Sequence, residues 1–145
     1  MAQAHTVKVD IVSAEGEIFS GPAKMVFLPA VEGDMGVAPR HAPLLTMLRP
    51  GEVRVQPPEG DEQSFWVGGG ALEIQPKKVT VLADTAARAR DLDEAAAQAA
   101  KQRAEEALRG ATDKISQAEA MAEIARMVAQ LRLIQKLRHP NRPGT

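Results

Sequence analysis

Hydrophobic positions along this chain change their period once. Val7, Val9 and Ile11 alternate with Lys8, Asp10 and Val12, the period-two pattern of a half-buried strand. Strand patterns recur at Ala23 to Leu28, Gly51 to Gln56 (through Val53 and Val55), Ser64 to Val67, Ala71 to Gln75 and Val79 to Leu82. Turn signals separate them: Ala14 to Glu17, Ser20-Gly21-Pro22, Pro57 to Asp61 and Pro76-Lys77. Pro29 is expected to end the second strand, because proline cannot donate to a central ladder. Short strands with short connections predict mainly antiparallel pairing in a β-sandwich or small barrel.

Beyond Asp91 the period becomes helical. Asp91 with Glu94 reads as an N-cap and its reciprocal partner. Leu92, Ala96, Ala99 or Ala100, Arg103 and Ala107 then follow helical spacing on a face made mostly of alanine, and Gly110 suits the end of that helix. Ser116 with Glu119 repeats the capping signature. Ile124, Val128, Leu131, Ile134 and Leu137 form one apolar stripe, and His139-Pro140 stops the second helix. Ser116 to Leu137 would span ~33 Å at about 1.5 Å per residue. A short loop between such helices implies an antiparallel hairpin.

Composition breaks at the same junction, Val79 to Asp91. Eight of ten prolines and ten of eleven glycines lie at or before Gly110, and all four aromatics lie before Val79. The expected domains are therefore a β body over 1–86 and a helical hairpin over 87–145.

At 145 residues the chain can hold one core or two small ones. No apolar run approaches the ~18 residues of a membrane span. The N-terminus lacks a basic segment followed by an apolar one, so a cytosolic chain without a signal peptide is expected. The absence of cysteine excludes disulfides, thiolate catalysis and Cys-based zinc sites. Net charge is −1 overall; residues 1–86 carry 7 basic and 11 acidic side chains, and residues 87–145 carry 11 and 8. Neither balance argues for nucleic acid.

Gly68-Gly69-Gly70 invites a phosphate-loop reading, but a strand follows it where a phosphate cradle needs a helix N-terminus. A bulge or a close backbone approach is the better expectation. Glu32 to Leu45 is long for a hairpin connection, and long ordered loops are often contact surfaces. It holds His41, but no nucleophile and base assemble around that imidazole, and His5 and His139 are too distant in sequence for a metal cluster. His41 is expected to pack or to make an interface. These residues leave open an interaction module, a small-molecule-binding jelly-roll with a helical lid, or an enzyme whose catalytic groups the sequence does not display.

Several motifs in order resolve that choice. Val12-Ser13-Ala14-Glu15-Gly16, Phe19-Ser20-Gly21, Gly33-Asp34-Met35-Gly36-Val37, His41-Ala42-Pro43-Leu44-Leu45, Gly69-Gly70 with Leu72-Glu73-Ile74, and Val79 to Ala86 closely resemble the epsilon subunit of bacterial F-type ATP synthases. The resemblance covers nearly the whole chain, tail included. It implies an α+β fold: an N-terminal ten-stranded antiparallel β-sandwich followed by a C-terminal antiparallel two-helix hairpin. It also implies a non-catalytic rotor subunit that binds the gamma subunit and the c-subunit ring, at the cytoplasmic face of the bacterial inner membrane. The chain would be monomeric when isolated, with no metal and no nucleic acid. Glu32, Asp34 and His41 are the candidates for rotor contact.

In such a subunit the second helix swings out and inserts into the alpha/beta catalytic head, restraining ATP hydrolysis. Ile124, Val128, Leu131 and Ile134 would supply its apolar stripe, and Arg126, Arg132, Lys136 and Arg138 its basic docking face. No acidic side chain follows Glu123, more segregation than complementing a helix dipole requires. Some relatives bind ATP between the helices through a pattern resembling Ile/Leu-Asp-x-x-Arg-Ala. Here Leu92 to Ala97 carries Ala96 at the arginine position, which leaves Asp93 and Arg126 as candidate ATP contacts.

Overall fold

The computed structural model describes residues 5–138, which fall into two compact units dividing between Ala89 and Arg90. The division lies three residues beyond the boundary expected from composition. Ala86–Arg88 still belongs to the first unit, because it pairs as a short strand with Phe65 to Val67.

The first unit has eight strands: β1 (Val7–Ser13), β2 (Gly16–Ala23), β3 (Met25–Ala30), β4 (Gly33–Val37), β5 (Leu44–Gln56), β6 (Gln63–Gln75), β7 (Lys78–Ala83) and β8 (Ala86–Arg88). They pair in the order β2-β1-β7-β6-β5-β3-β4, with β8 on β6. The count is eight rather than ten because β5 and β6 are long and serve both layers. Gly70 to Gln75 of β6 pairs with β7 on one side and with the first half of β5 on the other. Phe65 to Val67 pairs with β8 and with the second half of β5. Two layers of five segments result, and residues from both fill a single core: Val9, Ile11, Leu72 and Val81 from one, Val26, Val53, Val55 and Phe65 from the other.

The glycine triplet lies in β6, where that strand passes between layers. Gly70 has φ 140°, and a Cβ there would stand 2.2 Å from the Leu82 carbonyl oxygen. Close backbone approach, rather than phosphate binding, explains it. Pairing is mainly antiparallel, as expected, with one exception: β1 and β7 pair in parallel, which the long intervening chain permits. Two further expectations are corrected. Pro29 does not end β3; it sits where the β3–β5 register shifts between Phe27 and Ala30, a bulge that requires no ladder donor there. Pro22 likewise lies inside β2, an edge strand, where a missing N–H is tolerated.

The second unit is a hairpin of α1 (Glu94–Gly110) and α2 (Lys114–Arg138), which pack against each other. At 25 residues α2 is ~38 Å long. Both caps fall earlier or later than the sequence suggested. Asp93, not Asp91, caps α1, its carboxylate accepting from Ala96 N at 3.2 Å. Asp113, not Ser116, starts α2, accepting from Ser116 N at 2.8 Å and Ser116 Oγ at 2.9 Å. These bonds, the backbone one foremost, hold the Asp113 carboxyl below its usual range. Gly110 is the last residue of α1, and the expected stop at His139-Pro140 lies outside the described residues.

Candidate interaction surface

Strand alternation sends one side chain in two to the outward face of the first layer. There Met47, Ala71, Leu82 and Val12 lie side by side on β5, β6, β7 and β1. Met47 is 55% exposed, Leu82 54% and Leu45, two residues along β5 on the same face, 75%. Val31, 50% exposed, is tied to β5 by its N–H, which donates to Met47 O at 2.9 Å. A contiguous apolar row on a strand surface marks an interaction site. Sequence reading missed it, although Leu44-Leu45-Thr46-Met47-Leu48 carried the signal: an apolar run without alternation is apolar on both faces.

A polar row borders it, Glu73, Thr80, Asp10 and Ser20 in cross-strand register, with Leu45 opposite Glu73 at its end. Asp10 accepts from Ser20 Oγ at 2.6 Å and meets Lys78 Nζ at 3.1 Å and Lys8 Nζ at 3.9 Å. The Ser20 bond foremost holds its carboxyl below the ordinary range; burial opposes it, and Lys78 and Lys8 add smaller contributions that lower it.

The rotor-contact candidates fall in two places. Much of the expected loop is strand: Gly33 to Val37 is β4, leaving a turn at Val31-Glu32 and a connection over 38–43. Glu32, in the turn, accepts from Thr46 Oγ1 at 2.8 Å. Asp34 pairs with Arg49, whose Nε donates to Ala30 O at 2.9 Å. Both acids therefore brace the β3–β4 hairpin against β5. His41 is half-buried in the other connection, with Nδ1 2.7 Å from Ala42 O.

On the hairpin, the α1 face that turns inward is Ala97 and Ala104, with Ala100, Lys101 and Leu108 half-buried beside them. Ala96, Ala99, Arg103 and Ala107 point outward, one position off the expected face. On α2, Ile134 is buried, and Ile124, Val128 and Leu131 are half-buried. Leu133, not anticipated, is buried, whereas Leu137 is 43% exposed. Arg132 and Lys136 are exposed; Arg126 bonds Glu123 at 2.9 Å and Arg138 bonds Glu94 at 2.6 Å. Asp93 is occupied in capping and Arg126 in its ion pair, so each candidate ATP contact has a structural role already.

Comparison with known proteins gives this arrangement a family. Residues 6–89 match "ATP synthase, Delta/Epsilon chain, beta-sandwich domain", and residues 90–135 match "ATP synthase, Delta/Epsilon chain, long alpha-helix domain". The ATP synthase epsilon chain of Nitrosococcus oceani is 62% identical over 135 residues, covering 93% of this chain and 96% of that one. That of Alkalilimnicola ehrlichii is 62% identical over 133 residues, covering 92% and 95%. A chain of the Euglena gracilis mitochondrial ATP synthase structure (OSCP/F1/c-ring) shares the fold, with TM-score 0.73 at 17% identity over 86% of this chain and 78% of that one. With both domain matches meeting at the 89/90 junction, and relatives this similar along nearly their whole length, the chain belongs to the ATP synthase delta/epsilon family, among its bacterial epsilon chains.

Proposed function

We propose that this chain is a non-catalytic rotor subunit that joins the gamma subunit to the c-subunit ring, peripheral to the cytoplasmic face of the bacterial inner membrane. The observation that carries this reading is the outward row of Met47, Ala71, Leu82 and Val12, a large exposed apolar strand surface in a unit whose core is otherwise closed. Among the described residues no helix is long and apolar enough to cross a membrane, so attachment through partners fits. The β3–β4 hairpin with Glu32 and Asp34, and His41 in the next connection, supply polar contacts beside that row. Gel filtration with the purified gamma subunit tests it. A stable complex is expected, and Leu82→Glu should abolish it while the exposed site leaves folding within about 0.5 kcal/mol. A chain that stays monomeric beside gamma would remove the reading.

The hairpin, on the same reading, restrains ATP hydrolysis by opening and placing α2 in the alpha/beta head. Opening uncovers two buried and three half-buried aliphatics, a cost of roughly 5–10 kcal/mol at ~1.5–3 per full burial. An open helix therefore needs a replacement apolar surface, which the head would provide, while Arg126, Arg132, Lys136 and Arg138 select an acidic one. ATP would act at most as a regulatory ligand at Asp93 and Arg126, favouring the closed hairpin.

A further inference from the structure

We propose that one end of the β unit carries a phosphate-binding groove, beside the connection that holds His41. The groove has a volume of about 570 Å³ and is bordered by Lys8, Arg40 and Lys77, with Pro22, Pro39 and Pro76 in its walls. No carboxylate lines it, in a unit where acids outnumber bases. Three other cations of that unit are paired with acids: Arg49 with Asp34, Arg54 with Glu62 and Lys78 with Asp10. Arg40 and Lys77 have no such ion pair among the described residues, and Lys8 reaches Asp10 only at 3.9 Å.

The backbone adds an independent observation. Arg40 is the only non-glycine residue with positive φ among the described residues, at 67°, a conformation that glycine or asparagine adopts with less steric cost. Its N–H donates to Pro76 O at 2.9 Å, tying the 38–43 connection to the β6–β7 turn. A strained backbone thus holds a guanidinium at the mouth of a proline-walled groove beside two ammonium groups. A guanidinium fork with flanking lysines suits a phosphate group, carried by an anionic lipid headgroup or free in solution.

Two titrations of the full chain test this. In the first, inorganic pyrophosphate is added at constant ionic strength and amide NMR shifts are followed, with sodium chloride as the control. Saturable shifts at Lys8, Arg40 and Lys77 are expected. Arg40→Gly should weaken binding at least about fivefold while leaving the melting temperature unchanged or raising it, since glycine takes that φ freely. Lys77→Gln should weaken binding without touching the backbone. In the second, flotation with phosphatidylglycerol vesicles is compared with phosphatidylcholine vesicles. Capture by the former alone, lost in both variants, identifies a lipid headgroup; saturable pyrophosphate binding without capture identifies a free anion. The proposal is overturned if pyrophosphate acts like chloride and neither vesicle binds, or if Arg40→Gly and Lys77→Gln bind as the parent chain does.

Discussion

Arg138 in the last turn of α2 reaches Glu94 in the first turn of α1, Nη1 to Oε2 at 2.6 Å, and so fastens the open end of the hairpin. Both ends lie near solvent, so the pair contributes only ~0.2–1 kcal/mol and weakens with salt. Glu94→Gln should raise the open population about 1.4- to 5-fold. Hydrogen exchange in the first turn of α1 reads this directly, and the difference from the parent should shrink at high salt.

Asp93 separates capping from ligand binding. Asp93→Ala should destabilise α1 by ~1 kcal/mol, and Asp93→Ser should recover most of that, because a hydroxyl caps nearly as well. Thermal melts followed by circular dichroism check it. A serine variant as unstable as the alanine variant would show that capping is not what Asp93 supplies.

Gly70 tests the crossing of β6 between layers. Alanine there meets the Leu82 carbonyl and adopts a disfavoured φ, so Gly70→Ala should cost about 3 kcal/mol or more in urea unfolding. Gly60 also has positive φ, 95°, but a Cβ there meets nothing within 4 Å. Gly60→Ala should cost clearly less.

Asp10 sets an acid limit on the β unit. Its folded carboxyl titrates below the ordinary value of 3.8, chiefly through Ser20. A depressed carboxyl contributes stability that is present above the unfolded value and lost as pH falls through the folded one. Asp10→Asn should therefore lower stability near neutral pH and flatten its fall below about pH 4. Parallel pH profiles for parent and variant would reject this.

The fold was largely written in local pattern, and its exceptions have local causes. Val7-Val9-Ile11 and Val79-Val81 alternate because only one of their faces is covered. Leu44 to Leu48 does not alternate, so the first half of β5 and its outward row went unread. Gly33 to Val37 looked like a loop because its glycines lack side-chain signal, yet β3 pairs with it residue by residue. The inward face of α1 could not be placed because alanine occupies nearly every candidate position: Ala97 and Ala104 are buried and Ala96 and Ala107 are not. The parallel β1–β7 pair joins distant segments, which local pattern does not encode.

The basic residues of α2 give a prediction about the assembled enzyme. Changing Arg126, Arg132 and Lys136 together to alanine should weaken inhibition of ATP hydrolysis while the gamma complex still forms, because none of them lies on the β unit. Unchanged inhibition in the triple variant would remove charge from the docking step.

Because the chain has no cysteine, Glu94→Cys with Arg138→Cys would place its only two thiols at the ends of the fastening pair. The purified double variant, closed with a bismaleimide and rebuilt into the synthase, gives the most direct test of an opening hairpin. ATP hydrolysis should run faster with the closed chain than with the same variant left uncrosslinked. Inhibition equally strong in both would contradict the account, since α2 would then act without leaving α1.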